Sequence, residues 1–195
     1  MPPDRYADSE SPGPETIVLI TACLESVEAA RNAYQAVKDL LVERNVVDQV
    51  DMAIVGPQDG GATKILRKFA LSSTVGRALG DGWGPATGLV LWLYPSAVDG
   101  TGYLAGKPGE RAGLSTLAAE TRRSMSWGDL ARVGGQTDRC GVSLVIGCPE
   151  SLVSIVEDTL ADIPSIHVRT DLNLKHLEHE VATAMSANHF PKDRI

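Results

Sequence analysis

Along the chain, runs in which apolar residues are almost unbroken alternate with stretches in which they recur every third or fourth position. Thr16 to Ala22 (TIVLITA) is a β-branched and aliphatic run that predicts a central strand, covered on at least one face. Val27, Ala30, Tyr34, Val37 and Leu41 then form one stripe at helical spacing, with Ser26 placed as its N-cap, and predict a helix that ends near Arg44. Val50 to Val55 (VDMAIV) predicts a second strand, stopped by Gly56-Pro57, because proline fixes φ and lacks the N–H that a ladder needs. The same order returns later. Gly141 to Ile146 (GVSLVI) predicts a strand, Pro149 the first residue of a helix carrying Leu152, Ile155 or Val156, Thr159 and Ile163, and Ile166 to Thr170 a closing strand. Leu174, Leu177, Val181 and Ala184 mark one more amphipathic helix within 171–187, whose apolar face needs either the sheet's free face or another subunit.

Two strand-helix-strand units of this length predict an α+β, ferredoxin-like fold: a duplicated βαβ forming a four-stranded antiparallel sheet with two helices on one face. The halves also align residue by residue, Cys23-Leu24-Glu25-Ser26-Val27 against Cys148-Pro149-Glu150-Ser151-Leu152, as an internal duplication would leave them. Taking the first and third strands as parallel neighbours places Cys23 and Cys148 near each other, a candidate thiol pair for redox chemistry or a shared metal. Thiols at helix N-termini can have lowered pKa values, but Glu25 and Glu150 beside them oppose this, so two buried small residues are the plainer reading. Cys140 is expected at the sheet's other end.

Between the halves lies an insertion at about 72–113, rich in glycine and carrying Trp83, Trp92, Tyr94 and Tyr103. Small residues at short intervals let backbones approach closely, in a membrane or between subunits. Val18 to Ala22, the block 46–55, the segment GDGWGPATGLVLWLYPSAVDGTGYLAG (Gly80 to Gly106) and Cys140 to Leu160 resemble a bacterial family of unknown function. In that family two αβ halves flank a glycine-rich apolar hairpin. The resemblance implies membrane association, as such relatives are often described, and no catalytic residue. The uncharged stretch Gly82 to Val98 is 17 residues long, contains Pro85 and Pro95 and is flanked by Asp81 and Asp99, which argues against a full crossing. A hairpin packed on its own domain, an apolar surface shared between subunits, and a segment lying in the membrane interface remain.

Composition narrows the classes. At 195 residues the chain suits one domain, and a formal charge of −7 repels nucleic-acid backbones. Residues 1–15, proline-rich and acidic without an apolar run, read as a disordered arm, and 16–195 as the domain. Three cysteines without CxxC spacing fit free thiols in the cytoplasm, on the inner face of the membrane if the insertion meets lipid. His176, His179 and Glu180 share a helical face and are weak metal candidates, a solvated polar face being the plainer reading. Gly56-Pro57-Gln58-Asp59-Gly60-Gly61 lacks the Lys-Ser/Thr ending of a phosphate loop and reads as a turn into a basic-faced helix around Lys64, Arg67 and Lys68. No cofactor is implied.

Three functions remain open. The first is a non-enzymatic scaffold or accessory subunit that associates with itself, and with another protein subunit or a membrane surface. It would use Trp83, Leu89, Leu91, Trp92, Tyr94 and Tyr103 in the insertion and Leu174, Leu177 and Val181 in the last helix. The second is a small-molecule-sensing module, by analogy of fold. The third is a thiol- or metal-dependent enzyme built on Cys23 and Cys148.

Overall fold

A computed structural model describes residues 16–57, 61–70, 79, 83–95, 97 and 107–187. Strand β1 (Ile17–Leu24) leads into helix α1 (Val27–Glu43), whose first turn is capped by Ser26 Oγ accepting the Ala29 N–H at 3.1 Å. A short 3-10 turn precedes β2 (Asp51–Pro57), and β3 (Thr63–Ala70) follows. Three helices come next: α2 (Pro85–Leu93), α3 (Pro108–Arg123) and α4 (Trp127–Arg139). Then β4 (Val142–Pro149), helix α5 (Val153–Thr159), β5 (Ser165–Thr170) and helix α6 (Leu174–Ala187) complete the described chain.

The fold is α+β around one five-stranded sheet, order β3-β2-β4-β1-β5, with every neighbouring pair antiparallel. This is one strand more than expected. The extra strand is the basic stretch that the sequence reading made a helix. Its neighbouring side chains point to opposite faces: Arg67 lies over the Tyr34 ring at 4.7 Å and Lys68 over the Trp83 ring at 3.4 Å, and those rings belong to layers on opposite sides of the sheet. The pairing of β1 with β4 is antiparallel, not parallel, with Val18 opposite Cys148 and Cys23 opposite Ser143.

Antiparallel sheets usually leave one face to water, but here both are covered, and this is why β1 and β4 read as nearly continuous apolar runs. One face (Val18, Ile20, Met52, Ile54, Leu144, Ile146) packs on α1 and α5 through Tyr34, Val37, Leu41 and Val156. The other (Leu19, Ala53, Val55, Val145, Val168) packs on α2 and α4 through Ala86, Leu89, Val90, Leu130 and Val133. An outer layer then forms on α2, where Leu91 joins Leu114 and Leu117 of α3 and Leu177 and Val181 of α6. The last helix thus finds its partner within the chain, in a helix the sequence reading did not assign.

Within the glycine-rich segment, the described stretch Pro85–Leu93 is helix α2, and much of the expected hairpin lies outside the described residues. All residues of α2 from Pro85 to Leu91 are buried, as a helix apolar on every side must be. Its N-terminus is fixed to the sheet by Asp51, 3% exposed, whose Oδ2 accepts the Ala86 N–H at 2.7 Å. The carboxylate fits because two flanking positions lack a Cβ. One built on Gly84 would lie 2.7 Å from the Asp51 carboxyl carbon; one on Gly147, directly across from Asp51, would strike Oδ1 and come within 3.3 Å of the Ala86 nitrogen. Gly147→Ala is therefore expected to lower the unfolding free energy by about 1–3 kcal/mol through overpacking. Urea denaturation reads this, and an unchanged midpoint would contradict the placement of the carboxylate.

Candidate functional site

The residues expected to form an apolar interaction surface divide sharply. Trp83, Leu89 and Leu91 are buried in the chain's own core, as are Leu177 and Val181, while Leu174 is half-buried against the outer layer. Tyr94 is half-buried; its hydroxyl reaches Thr137 Oγ1 at 2.9 Å and donates to Asp138 Oδ1 at 2.6 Å, joining the end of α2 to α4. Burial first, and the neighbouring Asp138 next, push this phenol above its ordinary pKa. Tyr103 lies outside the described residues, as do residues 1–15.

Among the described members of the set, Trp92 faces outward, at 39% exposure. It does not stand alone. The Arg122 guanidinium of α3 lies 5.9 Å from the Trp92 ring and 4.1 Å from that of Trp127 on α4, and Trp127 is 70% exposed. Three helices so converge on one aromatic–cationic surface. Its composition of tryptophan and arginine is that of the residues that dominate binding at protein interfaces. The sequence reading missed Trp127 because it follows the insertion in a stretch to which no element was assigned.

The cysteines pair differently from expectation. Cys23 forms a disulfide with Cys140, with Cα atoms 5.5 Å apart, and Cys148 is the free and buried thiol. The reason is the strand direction: in an antiparallel β1–β4 pair, the end of β1 meets the start of β4, so Cys23 lies beside the chain just before Val142 while Cys148 sits opposite Val18. Cys148 is also a poor nucleophile. Burial first, then the Asp51 and Glu157 charges, raise its pKa to about 12. Two of the three cysteines expected as free thiols are thus bonded to each other.

Around this disulfide, three buried side-chain oxygens have no hydrogen-bonding partner: Thr21 Oγ1, Ser143 Oγ and Gln136 Oε1. Leaving such a group unpaired costs about 1–3 kcal/mol. Beside them opens a small cleft with room of about 30 Å³, lined by Gly56, Thr63, Tyr94, Cys140, Gly141 and Ser143 among others. Its walls carry hydroxyls and main chain rather than charge.

The remaining candidates disperse. His176 and His179 are exposed and Glu180 is half-buried; among the described residues no group of three or more His, Cys, Asp or Glu is placed to hold a metal ion. No helix among them is long and apolar enough to cross a membrane. Among the described residues the most perturbed carboxyl is Asp51, which sequence reading could not single out because it sits within an apolar strand. Burial raises its pKa from 3.8 to about 7, against the N–H groups of Ala86, Thr87 and Asp51 itself, which lower it.

Comparisons with protein-family models, curated proteins and solved structures find no match.

Asp51 makes the fold pH-dependent in a defined direction. Between pH 3.8 and about 7 the folded chain holds a proton that the unfolded chain has released, so stability falls as pH rises through this window. The slope at its steepest is about 1.4 kcal/mol per pH unit. Asp51→Asn, neutral throughout and still offering an oxygen to the Ala86 N–H, is expected to remove that decline in denaturation measured from pH 4 to 8. Equal slopes in the two proteins would remove Asp51 as its source.

Proposed function

We propose that this protein is a non-enzymatic accessory subunit that associates with a second copy of itself through the surface of Trp92, Arg122 and Trp127. The observation that carries the reading is Trp127, 70% exposed yet stacked on an arginine that also approaches Trp92. Leaving two indoles in water is unfavourable, at about 25 cal/mol per Å² of apolar surface, and a partner removes that cost. A cation held between aromatic faces keeps its N–H edge for a carboxylate, and the chain itself supplies 25 acidic residues against 18 basic ones. The interface we assign is narrower than the one read from sequence, because most of that set is spent inside the chain.

We also read the sheet as a ferredoxin-like core with β3 added at one edge. What supports this is that setting β3 aside leaves the order β2-β4-β1-β5, in which β1-α1-β2 and β4-α5-β5 each bridge over one intervening strand. Both of these helices lie on the same face.

The test is native mass by sedimentation across a concentration series, for the full chain and for Trp127→Ala. The exposed position makes loss of folding an unimportant outcome, and circular dichroism checks it. The wild-type chain is expected to exceed the 20.7 kDa monomer and the variant to weaken association by tenfold or more. A wild-type monomer at every concentration, or an unchanged variant, overturns self-association. Binding of anionic vesicles by a wild-type monomer, lost in Trp127→Ala, would instead assign the surface to lipid.

A further inference from the structure

We propose that Cys23 and Cys140 are a redox-active pair, which exchanges with external dithiols by way of the cleft beside Cys140, the hydroxyls of Thr21 and Ser143 receiving the sulfur that is released. The pairing carries this, together with what surrounds it. The three buried side-chain oxygens without partners among the described residues belong to residues that neighbour Cys23 and Cys140 on β1, β4 and α4. Thr21 precedes Cys23 by two residues and so shares its face of β1. Ser143 is the residue directly across from Cys23 on β4, a position that brings Cβ atoms to roughly 5 Å. Gln136 covers the same spot from α4: its main-chain carbonyl accepts the Cys140 N–H at 2.9 Å, and its side-chain amide donates to the Thr21 carbonyl at 3.1 Å.

These groups are poorly matched to a disulfide and well matched to what reduction would make. A disulfide sulfur is a weak acceptor and has no proton to give. A thiolate accepts strongly from hydroxyls, and a thiol offers an S–H to an oxygen such as Gln136 Oε1. Hydroxyls that turn to donate to a released sulfur would also favour its ionised form, which makes it a better leaving group in exchange. Access exists on the Cys140 side, because Cys140 lines the open cleft with Ser143, and both cysteines are partly exposed. Cys148, buried at the other end of β4, does not interfere.

The exchange balances as follows. One thiolate of an external dithiol attacks Cys140 Sγ; the new sulfur–sulfur bond forms as the Cys140–Cys23 bond breaks, and the electron pair passes to Cys23 Sγ, beside Thr21 and Ser143. The second thiolate of the dithiol then attacks its own sulfur in the mixed disulfide and expels Cys140 as a thiolate. The dithiol leaves oxidised to a disulfide, and its two protons pass through solvent to Cys23 and Cys140. In reverse the pair oxidises a dithiol. The alternative is a bond that only staples the fold, with water beside the three oxygens.

The test is equilibration of the folded full chain in buffers of reduced and oxidised dithiothreitol, followed by alkylation and mass measurement, with circular dichroism to follow the fold. The expected result is gain of two alkylated thiols per chain with the fold retained, and a third, from Cys148, only in denaturant. The double variant Thr21→Val with Ser143→Ala is expected to shift the exchange constant toward the disulfide by tenfold or more. A second variant guards against misfolding: in Cys140→Ser, thiolate absorbance is expected to titrate Cys23 below an ordinary thiol, and to return upward when Thr21→Val and Ser143→Ala are added. Reduction only upon unfolding, an exchange constant unmoved by the double variant, or an ordinary Cys23 titration would each overturn the proposal.

Discussion

The Asp51 carboxylate, lodged between Gly84 and Gly147 at the start of α2, sets how the helices on that face of the sheet are arranged. A buried carboxylate is costly, and the N–H groups at a helix N-terminus, with the positive end of its dipole, offset only part of that cost. The elevated pKa says the same thing. The contact therefore works as a locator more than as a source of stability. It sets one end of α2 against β2, which lays Ala86, Leu89 and Val90 on the sheet and leaves Leu91 for α3. Helix α6 packs on α3 in turn. An apolar segment of this kind has several ways to bury itself, and a single acceptor placed at one end selects among them.

Strand direction has the same reach at the other end of the sheet. The two halves carry near-identical stretches after their first strands, Cys-Leu-Glu-Ser and Cys-Pro-Glu-Ser, and equivalence in sequence invites the idea of nearness in space. An antiparallel β1–β4 pair separates equivalent positions instead, and joins the end of one strand to the beginning of the other. Hence Cys140, which has no counterpart in the first half, bonds to Cys23. By the chain-entropy account a bridge across 117 residues stabilises the oxidised fold by about 5 kcal/mol, while three unpaired oxygens beside it work against that gain.

What could be read in the sequence followed from periodicity backed by length. The strands β1, β2, β4 and β5, helix α1 with its Ser26 cap, and α6 were all legible, and the structure has them within a residue or two, save that β4 runs on to Pro149 and α6 begins three residues later than 171. The helix after β4 starts later than Pro149 suggested, because Glu150–Leu152 forms a 3-10 turn first. Helices α3 and α4 were not legible: Gly109, Gly113, Gly128, Gly134 and Gly135 thin their apolar stripes, and their charged faces resemble a polar linker. β3 was misread because Ile65-Leu66 between cations fits either period, and only its pairing with β2 decides. The aromatic–cationic surface could not be seen at all, since Trp92, Arg122 and Trp127 meet only through the packing of three helices.

Helix α4 is common to both functional readings. Trp127 begins it and Cys140 follows its last residue, so 13 residues, about 20 Å of helix, separate the exposed indole from the disulfide. Its middle is held by Leu130 and Val133 against the sheet, and its N-terminus by Ser126, whose Oγ accepts the Asp129 N–H at 3.0 Å. A helix fixed at those points does not need the disulfide to keep Trp127 in place. After reduction of Cys23–Cys140 the C-terminal turn of α4 would still be held by Tyr94 and by the Gln136 bond to the Thr21 carbonyl, and the Trp92–Arg122–Trp127 surface would stay intact. The two proposed roles are on this ground independent: association would depend on the start of α4, and thiol exchange on its end.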